Sequence, residues 1–131
     1  MPTTHVKRVF TGAPWESKVG YCRAVRVGNI IAVSGTAPVA DDGSVHAPGD
    51  PYEQARRCLV IIQRALRELN ADMHNVIRTR MFVTDCAHWQ QFGKAHGEFF
   101  SLHPPATSMI QIAALIHPDM MIEIEADAVI P

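Results

Sequence analysis

The sequence predicts an α+β domain built on a single mixed β-sheet of about six strands, with two helices on one face. Two long segments carry apolar residues at helical spacing, and six shorter segments have strand character between turn signals. Their order along the chain is β-β-β-α-β-α-β-β. Each helix has one apolar stripe, so both can cover the same face of one sheet. We expect residues 1–131 to form a single domain.

Three strands are predicted in the first third of the chain. They lie at 8–10, 21–27 and 29–34, and the pair Gly28-Asn29 is a hairpin signal between the second and the third. A further turn at 40–44 indicates a connection between short edge strands.

The first long helix is predicted to begin after Asp50. Asp50 suits the N-cap, Pro51 suits the first helical position, and Glu53 completes a variant of the capping box. Asn70 supplies a stop. The apolar stripe of this helix lies at positions 55, 58, 59, 62, 65, 66 and 69.

A covered strand and a second helix come next. Residues 76–84 alternate poorly, which suits a strand buried on both faces. The helix at 87–100 ends before a proline pair, because the residue before proline avoids the helical region. Its aromatic row is predicted to lie in the core and comprises Trp89, Phe92, His96 and Phe99.

Two strands, at 106–112 and 120–129, finish the chain. The last has acids at 123, 125 and 127 and apolar residues between them, so its two faces differ. Like charges about 7 Å apart on one face repel each other. That face therefore requires water, counter-charges or a function. A short turn at 117–119 is expected to make the two strands neighbours in the sheet.

The sheet face without helices is the reason to expect self-association. Ile31, Val33, Ile110 and Ile112 argue against a wholly solvated second face. Burial of that face against copies of the same chain, with closed symmetry, is the simplest solution.

Composition excludes several classes of protein. With 131 residues, 47% hydrophobic content and a net charge of −1, the chain is typical of a globular protein and has no basic field for nucleic acid. No apolar stretch approaches the roughly 20 residues of a membrane helix. Three cysteines and seven histidines lack metal-binding spacing. We expect a cytoplasmic protein with no metal, no cofactor, no nucleic-acid partner and no membrane partner.

Several segments together resemble the RidA/YjgF family, small trimeric proteins of chorismate-mutase-like fold. They run in the family's order over nearly the whole chain. The matching segments are Gly20-Tyr21, Val33-Ser34-Gly35, the helix at 50–69, Val76 to Asp85, Phe99-Phe100, Pro105-Ala106-Thr107-Ser108 and Ile122 to Ala126.

The resemblance implies a homotrimer with a small-molecule ligand in clefts between subunits. The best-studied members hydrolyse enamine or imine intermediates to ammonia and a 2-keto acid. The family's site tyrosine falls on Tyr21, its serine on Ser34 and its water-positioning glutamate on Glu123. The cysteine beside the site falls on Met109, and Thr107 stands where the family has arginine.

Thr107 is the main departure from the family pattern. A guanidinium grips a carboxylate with two charge-assisted bonds, whereas threonine offers one neutral hydroxyl. The loss of about 1.5–3 kcal/mol predicts at least tenfold weaker holding of an imino acid. Arg23 lies two residues from Tyr21, so it either enters the cleft beside Tyr21 or neutralises the acids at 123 and 125.

Three functions remain open at this point. The first is a hydrolase-like cleft in which Glu123 activates a water, Tyr21 positions the substrate, and backbone groups near Thr107 and Ser108 hold it. The second is a non-catalytic trimeric module that binds a metabolite or a protein. The third, a ribonuclease or translation inhibitor, fits poorly because neither a basic patch nor a histidine pair in acid–base register is evident.

Overall fold

The computed structural model describes residues 5–131, and within them the chain forms six strands and three α-helices. The strands are β1 (Val6–Val9), β2 (Ala24–Val27), β3 (Ile30–Thr36), β4 (Val76–Val83), β5 (Ala106–Gln111) and β6 (Ile122–Val129). The helices are α1 (Pro14–Val19), α2 (Pro51–Glu68) and α3 (Trp89–Phe100), and single 3₁₀ turns occupy Met73–Asn75 and Cys86–His88.

All six strands form one mixed sheet in the order β1-β2-β3-β6-β4-β5. Only β4 and β5 are parallel, and α3 supplies the crossover that a parallel pair requires. The α+β fold predicted from the sequence is confirmed. The expectation that the last two strands are neighbours is wrong, because β6 inserts antiparallel between β3 and β4. The β4 strand therefore separates β5 from β6.

The α2 helix begins as its sequence predicts. The Asp50 carboxylate accepts a hydrogen bond from the Glu53 backbone N–H at 3.1 Å. The second half of the expected capping box is not formed, because the Asp50 N–H donates to the Ala47 carbonyl instead. Asn70 adopts a left-handed backbone with φ of 61° just beyond the helix. The predicted stripe is buried, with Ala55, Cys58, Leu59, Ile62, Ala65, Leu66 and Leu69 in the core.

The α3 helix packs beside α2 against the same face of the sheet. Phe92 and Phe100 are fully or almost fully buried, and His96 is 9% exposed. Trp89 corrects the prediction, since it is largely exposed rather than part of the core. It is the first residue of the helix, and none of the three residues in the turn before it is fully buried.

The two faces of the sheet have different surroundings. On β6 the buried residues alternate with Glu123, Glu125 and Asp127, which lie on the face without helices, called the open face below. Ile110 is exposed and faces the open side as expected, whereas Ile31 and Val33 point to the helices and are buried, so these two do not support the argument for a covered second face. A different apolar row does, with exposed side chains from neighbouring strands at Val6, Val27 and Ile30.

The α1 helix is absent from the prediction. Pro14 occupies its first turn and Gly20 ends it with a φ of 87°, a conformation that favours glycine. Glu16 is almost fully buried within it, and its carboxylate accepts bonds from the Thr11 N–H, the Thr11 hydroxyl and the Gly12 N–H. The predicted strand 21–27 is shorter than expected, because β2 begins only at Ala24, four residues after the Gly20 cap of this helix.

Candidate functional site

The open face carries a row of three carboxylates along β6. Arg80, on the adjacent strand β4, donates to Glu125 and to Asp127 at 3.2 Å each. Glu123 has no ion-pair partner within residues 5–131. The row is therefore divided into two acids that share one arginine and one acid that stands apart.

Glu123 lies in a confined position between β3 and β4. Its antiparallel partner on β4 is Phe82, and on the other side its carboxylate lies against Gly35. A methyl group built on Gly35 would overlap the carboxylate oxygen and lie 3.0 Å from the Glu123 Cδ. Partial burial raises the pKa of Glu123, nearby Arg23 opposes that rise, and Glu125 adds to it.

Gly35 occupies an irregularity in β3 that brings Arg23 to the same place. The pairing between β3 and β6 shifts between Val33 and Thr36. Arg23 donates from Nη2 to the Gly35 carbonyl at 2.7 Å. Its Nε is buried and has no hydrogen-bond partner among the described residues. The guanidinium and the Glu123 carboxylate thus lie on either side of one glycine without forming an ion pair.

Tyr21 and Ser34 adjoin this pair. The Arg23 guanidinium lies 5.7 Å from the centre of the Tyr21 ring. The Ser34 hydroxyl donates to the Cys22 carbonyl at 2.7 Å, which ties the loop before β2 to β3. Tyr21 also lines an open depression on the protein surface. The other lining residues are Arg8, Phe10, Glu16, Ser17, Gly20 and Cys22.

The remaining predicted residues lie on β5, two strands away from Glu123. The Thr107 hydroxyl is 2.6 Å from that of Thr79 on β4, its parallel partner. Met109 packs against the hydrophobic core. Ser108 is the partner of Arg80 and so faces the open side. Thr107 and Glu123 are therefore on opposite faces of the sheet within one protomer.

One protomer brings together only part of the predicted set. Neighbouring strands are about 4.8 Å apart, so β5 and β6 are separated by roughly 10 Å in addition to the difference in face. Tyr21, Arg23, Ser34 and Glu123 form one group, called the acid-site group below. Thr107 and Met109 lie at the edge strand β5, which pairs only with β4 among the described strands.

Sequence reasoning missed several residues of these two regions. Gly35 was available as a signal, because an isolated glycine within a strand often marks a bulge or a close approach. His96 appeared only as one member of an aromatic row, although its Nε2 lies 2.8 Å from the Thr79 hydroxyl. No local pattern indicates that contact, which depends on how α3 lies across β4.

A family model described as Endoribonuclease L-PSP matches residues 11–130. The chain belongs to the YjgF/RidA family. Its fold agrees with a YjgF/YER057c/UK114 family member, Rv2704 from Mycobacterium tuberculosis, whose crystal structure superposes with a TM-score of 0.87 at 39% identity. That comparison covers 95% of this chain and 99% of the Rv2704 chain.

Two relatives show the range of descriptions within the YjgF/RidA family. The uncharacterized protein SCO2049 of Streptomyces coelicolor is 31% identical over 128 residues, which are 98% of this chain and 95% of that protein. The 3-aminoacrylate deaminase RutC of Acinetobacter baylyi is 30% identical over 108 residues, 82% of this chain and 85% of its own.

The residues that the structure describes contain no cluster of three or more histidine, cysteine, aspartate or glutamate side chains suited to a metal ion. None of the helices described is both long and apolar enough to cross a membrane.

Proposed function

We propose that this YjgF/RidA-family protein hydrolyses the imine or enamine form of a small metabolite and releases ammonia. Glu123 is the catalytic residue, and Tyr21 positions the substrate. The observation that carries the proposal is the state of Glu123, a half-buried carboxylate that lies against Gly35 and forms no ion pair with any residue in the range 5–131. Glu125 and Asp127, on the same strand and face, differ from it because they share Arg80.

The chemistry needs one group that exchanges protons near neutral pH. Glu123 takes a proton from a water molecule as the water oxygen attacks the carbon of the C=N bond. The same proton passes to the nitrogen and gives a carbinolamine. Glu123 then moves the proton of the new hydroxyl group to the amino nitrogen as the C–N bond breaks, so that ammonia leaves and the carbon becomes a carbonyl. The raised pKa of Glu123 favours both steps, because it makes this carboxylate a stronger base than an exposed glutamate.

The complete site is proposed to lie between subunits of a homotrimer. The acid-site group and the residues of β5 are too far apart in one chain to bind the same small ligand. A neighbouring protomer would bring its edge strand, with Thr107 and Met109, to the acid-site group. The exposed row of Val6, Val27 and Ile30 on the open face supports burial against another copy of this chain.

A non-catalytic trimeric binding module is the second candidate. Thr107 favours it, because a cleft that lacks the family's arginine lacks the anchor for the usual 2-imino acids. Binding of RNA is disfavoured by the carboxylate row on the open face, since a negative surface repels a phosphate backbone. The small-molecule cleft is common to both candidates, and turnover separates them.

The decisive experiment is a hydrolysis assay with imines generated in place by an amino-acid oxidase and with 3-aminoacrylate. Ammonia and carbonyl product are measured over the uncatalysed rate. We expect catalysis by the wild type and its loss in Glu123→Gln. The matched control is Asp127→Asn on the same strand and face, which should keep most of the activity because Asp127 is bound to Arg80.

Two results would contradict the proposal. Equal activity in wild type and Glu123→Gln would remove Glu123 from the chemistry. No turnover of any imine or enamine would favour the binding module. Light scattering should give three times the chain mass of 14.5 kDa, and a monomer at micromolar concentration would exclude an intersubunit site.

A further inference from the structure

Three polar side chains form a continuous chain from the buried helix α3 to the exposed edge of the sheet. The Nε2 of His96 lies 2.8 Å from the Thr79 hydroxyl, and that hydroxyl lies 2.6 Å from the Thr107 hydroxyl. Thr79 is fully buried, His96 is nearly so and packs on Phe100, whereas Thr107 is exposed. Neither His96 nor Thr79 has a part in the hydrolysis described above.

Counting protons leaves two arrangements for this chain of hydrogen bonds. Thr79 has one hydroxyl proton and lies between two partners, so it donates to one and accepts from the other. If the imidazole carries its proton on Nε2, His96 donates to Thr79, Thr79 donates to Thr107, and the Thr107 proton points outward. If the proton is on Nδ1, all the bonds reverse and Thr107 presents only lone pairs outward.

The His96 tautomer therefore decides whether Thr107 offers a donor or an acceptor at the sheet edge. Burial lowers the pKa of His96, so the ring is neutral at neutral pH and both arrangements are accessible. A ligand that approaches Thr107 selects the arrangement that suits it. The cost to the protein is small, because every bond in the chain is kept in either direction.

We propose that Thr107, backed by Thr79 and His96, is a hydrogen-bonding subsite for a neutral polar group of the ligand, such as a carboxamide or an alcohol. This inference rests on the proposed intersubunit cleft and names the class of ligand that the cleft takes. A neutral group is satisfied by one hydrogen bond of either direction. A carboxylate needs charge-assisted donors, and the subsite supplies at most one neutral hydroxyl. Thr79 and His96 act as positioning residues, since neither reaches the ligand.

The test uses two product-like probes that differ in one group, 2-oxobutanamide and 2-oxobutanoate. Binding is followed by the ¹⁵N signals of the imidazole, which report the nitrogen that carries the proton, and by titration of affinity. For the wild type we expect the amide to bind at least fivefold more tightly than the carboxylate and to move the His96 signals.

Variants separate the subsite from a merely structural contact. Thr107→Val, at an exposed position that should not affect folding, is expected to weaken amide binding about fivefold and to abolish the response of His96. Thr79→Val should uncouple His96 from the ligand, while Thr79→Ser should restore the coupling. Thr84→Val, beyond the end of the same strand, is the matched control and should behave as the wild type.

Several outcomes would overturn the inference. These are tighter binding of the carboxylate by the wild type, an unchanged His96 response in a folded Thr107→Val variant, and no binding of the amide. Because the probes are not turned over, the result is independent of the hydrolysis assay. Amide binding with a His96 response but without imine hydrolysis would keep the subsite and reject the catalytic proposal.

Discussion

The two polar regions of this sheet keep partly buried polar side chains in different ways. On the open face the ionisable carboxylate of Glu123 is confined, and Arg23 lies near it without forming an ion pair. At the β5 edge Thr79, His96 and Thr107 satisfy one another by neutral hydrogen bonds. The first region keeps an ionisable carboxylate, which suits proton transfer. The second region has neutral hydrogen bonds whose donor and acceptor roles can reverse, which suits recognition of a ligand.

The difference also bears on the proposed intersubunit site. A half-buried carboxylate is costly unless a ligand, a water or a second subunit compensates it. A hydroxyl chain is satisfied in itself and imposes no such demand. In the proposed trimer, the acid-site group is therefore the part that gains from a neighbouring subunit, whereas the hydrogen bonds at the β5 edge are already made within one chain.

The substitution with the largest expected effect on this comparison is Gly35→Ala. The new methyl group must displace the Glu123 carboxylate, because the two would overlap. We expect hydrolysis to fall about 100-fold, as a displacement of about 1 Å in a catalytic group can cost that much. Activity and circular dichroism are measured together, and binding of the neutral amide at the β5 edge should be less affected.

Gly93→Ala is the control for that experiment. Gly93 lies in α3, and a methyl group there meets no atom within 4 Å. Alanine is favoured over glycine in a helix by roughly 0.5–1 kcal/mol, so this variant should be slightly more stable and fully active. Full activity in Gly35→Ala would mean that the position of Glu123 does not matter to the reaction.

The next largest effect is expected for Thr107→Arg, which replaces a neutral hydrogen-bonding side chain at the β5 edge with a charged guanidinium. The wild type is expected to act poorly on simple 2-imino acids, and the guanidinium should raise kcat/KM for them about tenfold. The new arginine cannot pair with Glu123 of its own chain, since β4 lies between their strands. Thr107→Gln, long but uncharged, serves as the control and should give no gain.

High activity of the wild type on 2-iminobutyrate would change the interpretation of Arg23. An anchor for the carboxylate would then already exist, and Arg23→Ala should lower kcat/KM by well over tenfold. If Arg23 only moderates the charge of Glu123, Arg23→Gln should leave substrate affinity nearly unchanged. It should instead move the acid limb of the pH–rate profile to higher pH, because a positive charge that lowers the pKa of Glu123 is lost.

The sequence predicts the individual helices and strands better than it predicts which strands pair with each other. Asp50 and Pro51 mark the start of α2 by local chemistry, and the alternation of β6 correctly assigns the carboxylates to one face. Alternation does not tell which strand lies beside another, so the position of β4 between β5 and β6 could not be derived. The α1 helix, with six residues, is too short to show a periodic pattern.

The sequence named candidate residues for the site but not their geometry. The family resemblance supplied Glu123, Tyr21 and Ser34, which the fold brings close to one another. The contact between His96 and Thr79 depends on the packing of a helix on a sheet and leaves no signal in a single sequence. The close approach of Gly35 to the Glu123 carboxylate occurs where the pairing of β3 with β6 shifts, and a single sequence does not reveal that shift either.

The smallest expected effect is a difference in how the two regions respond to acid. The pKa of Glu123 is raised above its ordinary value of 4.5 by burial, so the folded protein binds more protons there than the unfolded chain. The contribution of Glu123 to the free energy of unfolding therefore increases as the pH falls through the raised pKa, and it is fully present below pH 4.5. The pKa of His96 is lowered from 6.5 by burial, so its contribution is lost as the pH falls from 6.5 toward the folded value.

Glu123→Gln and His96→Gln isolate these opposite contributions. The free energy of unfolding of each variant is compared with that of the wild type between pH 4.5 and 7.5, at one protein concentration because assembly also contributes. Acidification should raise the free energy of unfolding of the wild type relative to that of Glu123→Gln. It should lower the free energy of unfolding of the wild type relative to that of His96→Gln. Since the Glu123 carboxylate is only half buried, solvent screening should keep its contribution modest. Parallel slopes for both variants would mean that assembly, rather than the two sites, sets the pH dependence, and the contrast between a charged and a neutral region would lose its energetic basis.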